Sequence, residues 1–313
     1  MFSKKKFDPS PRGVPLGYLE TRLSKTTLKI SRDADSLIAE HQAAVVTKLK
    51  VVAPARDELS KDPLQAVVQI TTDLPRDLTK AFLNPQSLMT LNQAAVFGAL
   101  TLDNGRCFIG SRLTVFEQEQ AWNLYIPFLL CAVISGREYH VNAILSMLGS
   151  REARTGDSAW AAEDFNYVQS KLSEFCVCTA NGGGLTAEFG LRSGMGSAAL
   201  GHHMTALWQL KAEEPHPGAG GGLLCILRMP HRVSREQLPG ILADLNRREM
   251  APRDQPPHFG AWCQGNSEDT VAYASFLPNA MHRTEAVALN VSIWAFHRAH
   301  WVDAYLASIG VHS

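Results

Sequence analysis

Four side chains in this sequence have the chemistry to hold a metal ion: Cys176, Cys178, His202 and His203. A Cys-x-Cys pair on a strand sets both thiols on one face, and two nearby imidazoles could complete a tetrahedron. The spacing matches no standard zinc framework, and neighbouring histidines diverge on a helix or a strand. The simpler reading is a pair of small, buried, apolar cysteines. The run Gly218 to Gly222 lacks the Lys-Ser/Thr of a phosphate loop, and Leu223 and Leu224 lead into a strand instead. It reads as a flexible hairpin connection, and Asn181 to Gly184 reads as a turn. Glu188 is a lone carboxylate in a strand-like run, without the partner that acid–base work needs. The sequence carries no G-x-S-x-G and no H-E-x-x-H. These observations point away from an enzyme, and no cofactor and no metal is expected.

Arg137 and Arg298 are more informative. Each interrupts an apolar helical stripe: Val287, Val291, Trp294, Arg298, Val302, Tyr305 and Ile309 in one, and Ile126, Leu130, Val133, Arg137, Val141, Ile144 and Leu148 in the other. The two stripes lie 161 positions apart. A buried charge must snorkel or pair, so each arginine is expected to make a structural ion pair or carbonyl contact that orients its helix. The alternative is a ligand contact at a seam between two units.

The matching stripes belong to a longer repeat. "LQAVVQITTDLP" is echoed by "GLLCILRMP", and "PQSLMTLN" from Pro85 by "PGILADLN" from Pro239. Phe97-Gly98-Ala99 is echoed by Phe259-Gly260-Ala261, and "GREYHVNAIL" by "HRAHWVDAYL". The offset drifts because eight extra residues fall between Asn246 and Phe259. Strands pair in "TKLKVVA" with "LQAVVQITT" and "ALWQLKA" with "GLLCILRM"; second hairpins follow, one turning at Asn104-Gly105. Ser234 and Gln237 suggest a capping box, while Asn92 and Asn246 are expected to cap their helices locally.

The fold class that results is α+β: two tandem β-β-α-β-β-α units, each an antiparallel sheet packed by helices. A further helix is expected before each unit, in "DADSLIAEHQAAV" and "AWAAEDFNYVQSKL", and an extra hairpin, "FCVCTANGGGLTAEFGL", in the second copy alone. The boundaries are an N-terminal arm 1–30, a first unit 31–148, a linker 149–159 and a second unit 160–313.

Composition sets outer limits. Thirty basic residues balance thirty acidic ones, so no global field draws the chain to nucleic acid or membrane. The charges of "MFSKKKF" precede no apolar h-region, and the run Tyr125 to Ile134 is too short to span a bilayer. Six cysteines in a chain of 313 residues do not form a disulfide scaffold. A soluble cytoplasmic protein is expected.

The order strand-strand-helix-hairpin-helix, with Leu-Asn ending the first helix and Phe-Gly-Ala opening the hairpin, resembles the YbjN-type fold shared with type III secretion chaperones. The resemblance is strongest over residues 220–301 and weaker over 46–148. It implies a bacterial protein that binds rather than catalyses, holding an extended partner segment, with two copies forming a covalent pseudo-dimer. The chain departs from the secretion chaperones in its length and its zero net charge.

The functional expectation is a protein-binding module, chaperone-like or regulatory, that uses its sheet surfaces or inter-unit seam and is compatible with homo-oligomers. Arg137, Arg298, Phe259, Trp262 and Tyr273 are the candidate partner contacts. The rivals are a metal protein or enzyme built on Cys176, Cys178, His202 and His203, and a scaffold subunit of a larger assembly.

Overall fold

A computed structural model of the chain describes residues 14–34, 36–41, 45–52, 64–74, 84–103, 105–116, 120–192, 204–251, 256–284 and 286–311. Its elements run α1 (Val14–Leu23), β1 (Lys29–Asp33), β2 (Ser36–His41), β3 (Val45–Val52), β4 (Leu64–Asp73), α2 (Pro85–Leu91), β5 (Ala99–Asp103), β6 (Arg106–Phe116) and α3 (Gln120–Met147). They continue α4 (Ala162–Leu172), β7 (Val177–Asn181), β8 (Gly184–Gly190), β9 (Thr205–Lys211), β10 (Gly222–Arg232), α5 (Leu238–Glu249), β11 (Ala261–Gln264), β12 (Thr270–Pro278) and α6 (Val287–Ser308).

The two sheets share one plan. The first has strand order β1-β2-β3-β4-β6-β5 and the second β7-β8-β9-β10-β12-β11, all pairs antiparallel. The architecture is α+β in two units, each with a six-stranded sheet under a long helix. Each unit is therefore α-β-β-β-β-α-β-β-α, one hairpin longer than the sequence pattern suggested. The extra hairpin belongs to both copies.

That hairpin corrects the first expected helix. Ser36 to Glu40 lie in β2, with Leu37 and Ala39 buried and Ile38 and Glu40 half-buried. A period of two overrides the helix-favouring Ala and Glu content. The helix that opens this unit is α1, inside the stretch read as an arm, and it buries Leu19 and Leu23. The second expected helix is present as α4, burying Phe165, Val168 and Leu172. Gly105, at φ +76°, turns the β5–β6 hairpin between the paired Asp103 and Arg106; Asn104 lies outside the described residues.

The helical stripes are buried at their centres and exposed at their C-terminal ends, Leu148 and Ile309. Leu130, Val133, Arg137 and Ile144 are buried on α3, while Val291, Arg298 and Val302 are buried on α6. On α6 the buried face extends over Ala288, Ser292, Ala295 and Ala299. Small residues there let the helix sit close to the sheet. Ser292 Oγ accepts the Trp208 indole N–H at 2.9 Å.

The units join through reciprocal contacts. Arg112 and His258 exchange both main-chain bonds, at 3.2 and 2.8 Å, and the Phe276 amide donates to the Ala95 carbonyl at 3.1 Å. Thus the segment before β11 extends the first sheet, and the segment before β5 extends the second. Phe97 meets its own counterpart Phe259 edge-on, with centroids 6.2 Å apart. Ala99 clusters with its counterpart Ala261. Residues that touch their own repeat equivalents are the mark of a two-fold relation.

Candidate functional site

Two kinds of site emerge: a buried polar seam between the units, and an open surface on the second sheet. The seam forms first from the two asparagines. Asn92 donates to the Leu100 carbonyl and accepts the Leu100 amide, at 3.0 and 2.7 Å. Asn246 does the same with Trp262, at 2.9 and 2.8 Å. They were expected to cap their helices; instead each mimics a strand and clips its helix to the first strand of the following hairpin. Ser234 and Gln237 do meet, the Gln237 amide lying 3.3 Å from Ser234 Oγ, one turn ahead of Leu238.

The two arginines behave as structural contacts. Arg137 is fully buried and donates to the Phe97 carbonyl at 2.9 Å and to Ser111 Oγ at 2.7 Å. Phe97 has a left-handed backbone, φ +53°, and its carbonyl also accepts the Ser111 hydroxyl. The strained turn is thus fixed from two sides. Gly98, at φ +145°, follows it; a side chain there would strike the Gly110 carbonyl and Ser111. Burial depresses the Arg137 guanidinium to about 9.

Arg298 has a charged partner. Its Nε and Nη2 donate to the two carboxylate oxygens of Glu249, at 2.6 and 3.3 Å, and Nη2 also to the Pro257 carbonyl at 2.9 Å. The guanidinium lies 4.2 Å from the Tyr273 ring centre. Glu249 further accepts the Trp262 indole N–H at 3.1 Å. Burial alone would raise this carboxyl, but the charge and hydrogen bonds of Arg298, with the charge of Arg112, outweigh it and hold it below the ordinary value. Arg112, also fully buried, donates to the main-chain carbonyls of Glu249 and Pro256, at 2.6 and 2.9 Å.

The five candidate partner contacts, Arg137, Arg298, Phe259, Trp262 and Tyr273, are therefore all buried. They build the seam and the core beside it. Arg298 and Trp262 pack on Tyr273, Arg137 is held by the Phe97 carbonyl and Ser111, and Phe259 packs on Phe97 and Trp294, so in this structure these side chains face the interior and not solvent.

Sequence reasoning also missed residues here. Glu249 closes "LNRRE" and looks like any exposed helical charge; the only signal was Arg298's need for a partner. His216 sits in "EEPHPG". Its Nδ1 accepts the amides of Gly218 and Ala219, at 3.1 and 3.2 Å, and its Nε2 donates to the Ala94 carbonyl at 3.1 Å across the seam. The glycine run beside it is not a loose connection. A side chain on Gly218 would collide with the Tyr139 carbonyl of α3, so glycine is required by close approach.

Of the proposed metal ligands, the two cysteines are described. Cys176 and Cys178 are half-buried free thiols, and burial raises both, Cys178 to about 11. Cys176 points its thiol at the Leu172 carbonyl, 3.4 Å away. His202 and His203 lie outside the described residues, and among the described residues no three His, Cys, Asp or Glu side chains could share a metal. Glu188 is exposed on β8. No described helix is long and apolar enough to cross a membrane.

The open surface arises from the asymmetry in loop length. In the second unit the longer connection after α5 lies over the outer face of the first sheet. Gln69 donates to the Met250 carbonyl at 2.8 Å, and Val67, Arg112 and Thr114 are buried there. The short connection after α2 gives the second sheet less cover. Leu207, Gln209, Leu224, Ile226 and Arg228 remain half-buried on its outer face. Beside them, on the edge strand and the residues just before it, Phe175 and Val177 are 72% and 70% exposed, the highest values for large apolar side chains among the described residues.

The two sheet edges differ in the same direction. The outer edge of the first, β1, reads KISRD and is laced by ion pairs: Lys29–Glu40 at 3.3 Å and Asp33–Lys48 at 2.9 Å. Its counterpart β7 reads VCTAN and carries no charge. Charges on an edge strand discourage pairing with another chain, and an apolar uncharged edge invites it. Among the described residues, one carbonyl of β7, that of Cys178, accepts a side-chain hydrogen bond, from the Gln169 amide at 3.0 Å.

No family model, curated protein or solved structure matches this chain.

Proposed function

We propose that this chain is a non-enzymatic, chaperone-like holder of a partner protein segment, a tandem of two YbjN/type III chaperone-like modules working in the cytoplasm. The bound segment is extended and apolar at alternate positions. It lies on the outer face of the second sheet and along β7, adding a strand to the edge. The observation that carries the reading is the adjacent exposure of Phe175 and Val177 on an uncharged edge. The equivalent edge of the first unit is guarded by charge. Apolar area left open on one of two otherwise matching units marks a docking surface.

The test is a pull-down from the host, followed by cross-linking of the recovered partner. The reading expects cross-links at β7 and β8, and loss of the partner in Phe175→Ser/Val177→Ser. Retention of the partner by that double variant, with cross-links confined to the first unit, rejects it. A stoichiometric complex that survives deletion of every extended partner segment would instead favour a scaffold subunit.

A further inference from the structure

Three histidines line the seam, one from each side and one from the segment that crosses it. His140 lies on α3 of the first unit, His216 on the β9–β10 loop of the second, and His258 on the crossing segment; all three are buried. At His216 a second proton would have to sit where two main-chain amides donate, and at His258 it would face one carboxylate amid the fields of three arginines. His216 uses Nδ1 to accept two main-chain amides and Nε2 to donate to Ala94 of the other unit. A proton on Nδ1 would break both accepted bonds and turn the nitrogen's N–H against the two amide donors; the Phe276 ring packs on the imidazole with centroids 4.6 Å apart. Phe276 is the residue whose amide crosses to Ala95.

His258 holds the other crossing, its main chain paired with Arg112. Its Nδ1 lies 3.3 Å from the Tyr273 hydroxyl and 3.7 Å from Glu249. It is also within the fields of Arg298, Arg112 and Arg137, and these outnumber the one carboxylate. His140 is one turn from Arg137 on its own helix and faces His216 and the Val96 main chain from the other elements.

We infer that the seam is a proton-sensitive joint: charging of His216, His258 and His140 opens the contact between the units while each unit keeps its sheet. Burial is the largest cause that disfavours the charged form at each position, holding His140 and His258 at about 3 and His216 at about 4, against an ordinary 6.5. Arg137 and His216 add to it at His140; at His258 Glu249 opposes it and the arginines reinforce it. These pKa values are depressed in the closed seam. The neutral histidines therefore support closure above pH 6.5, and that support is lost as pH falls from 6.5 towards 3–4.

The test uses the full chain and amide hydrogen exchange, corrected for the intrinsic rate at each pH. The amides of Arg112, His258 and Phe276 report the seam, and those of the β8–β9 pair report the second sheet. Between pH 7 and pH 5 seam protection should fall at least about a hundredfold relative to β8–β9. In His216→Asn, whose side-chain oxygen can still accept the Gly218 and Ala219 amides, the fall should be roughly tenfold smaller. Seam and sheet amides that lose protection together, or an unchanged fall in His216→Asn, overturns the inference. Should that variant not fold, the imidazole signals of the wild-type chain decide. No titration near pH 6.5 while the seam amides stay protected supports it, and titration there with the seam closed refutes it.

Discussion

Arg137 and Arg298 hold the same place on the last helix of their units, and both are buried, yet their surroundings differ in kind. Arg298 is paired with a carboxylate that the Trp262 indole also engages and that His258 faces at 3.7 Å. Arg137 is held by carbonyls and a hydroxyl. The second copy has a longer connection and a terminal Glu249, which pairs with its arginine, and the main chain at Met250 and Pro256 packs on its neighbour's sheet. The first copy has neither. The second unit thus covers its neighbour's sheet, while residues on the outer face of its own sheet stay half-buried. The comparison teaches that two copies of one plan can share their geometry while differing in how a buried charge is met and how a sheet face is covered.

The comparison can be broken most sharply at the arginines. Arg298→Met strands Glu249 as a lone buried charge and should cost about 3–5 kcal/mol in denaturant unfolding. Arg137→Met removes a cation with no carboxylate partner and should cost clearly less, about 1–3 kcal/mol. A larger loss for Arg137→Met would contradict the assignment of their roles. In Arg298→Met, Glu249→Gln should recover stability, because the stranded charge is gone.

Acid sensitivity should separate the same pair. The Glu249 carboxyl is held low in the folded protein, so its contribution is full above its ordinary value of 4.5 and is lost as pH falls through the folded one. Urea titrations at pH 7 and pH 4 should show a smaller acid penalty in Arg298→Met/Glu249→Gln than in the wild type. Equal penalties would show that Glu249 is not held by its neighbours.

The asparagine clips are the symmetric control. Asn92→Ala and Asn246→Ala each remove one donor and one acceptor from a buried main-chain pair and should each cost about 2–3 kcal/mol. Costs that differ several-fold would show that the clips are not equivalent. Smallest of all, Phe175→Ser and Val177→Thr should change stability by within about 0.5 kcal/mol, since both side chains are already in water.

Much of this plan was legible in the sequence. The offset of the two arginine stripes, the two P-x-x-L-x-x-L-N helices and the Phe-Gly-Ala openings located the repeat, the last two helices and four strands in each unit. The first hairpin of unit one was missed because "SLIAEH" has helix-forming composition, and its two-residue period is too short to outweigh it. The site was harder. A buried arginine is visible as a charge in an apolar stripe, but its partner is not: Glu249 is 49 residues from Arg298 in the chain. The glycines before β10 looked loose because the α3 main chain that packs on them is distant in sequence. Exposure at Phe175 and Val177 depends on what a neighbouring loop fails to cover, a property no local pattern carries.

The most direct measurement of the holding role is amide exchange on the full chain with and without its bound partner segment. The account predicts new protection at Cys176 to Asn181 and little change in β1 and β2. Protection that appears instead on β1, or nowhere on the second sheet, would contradict it.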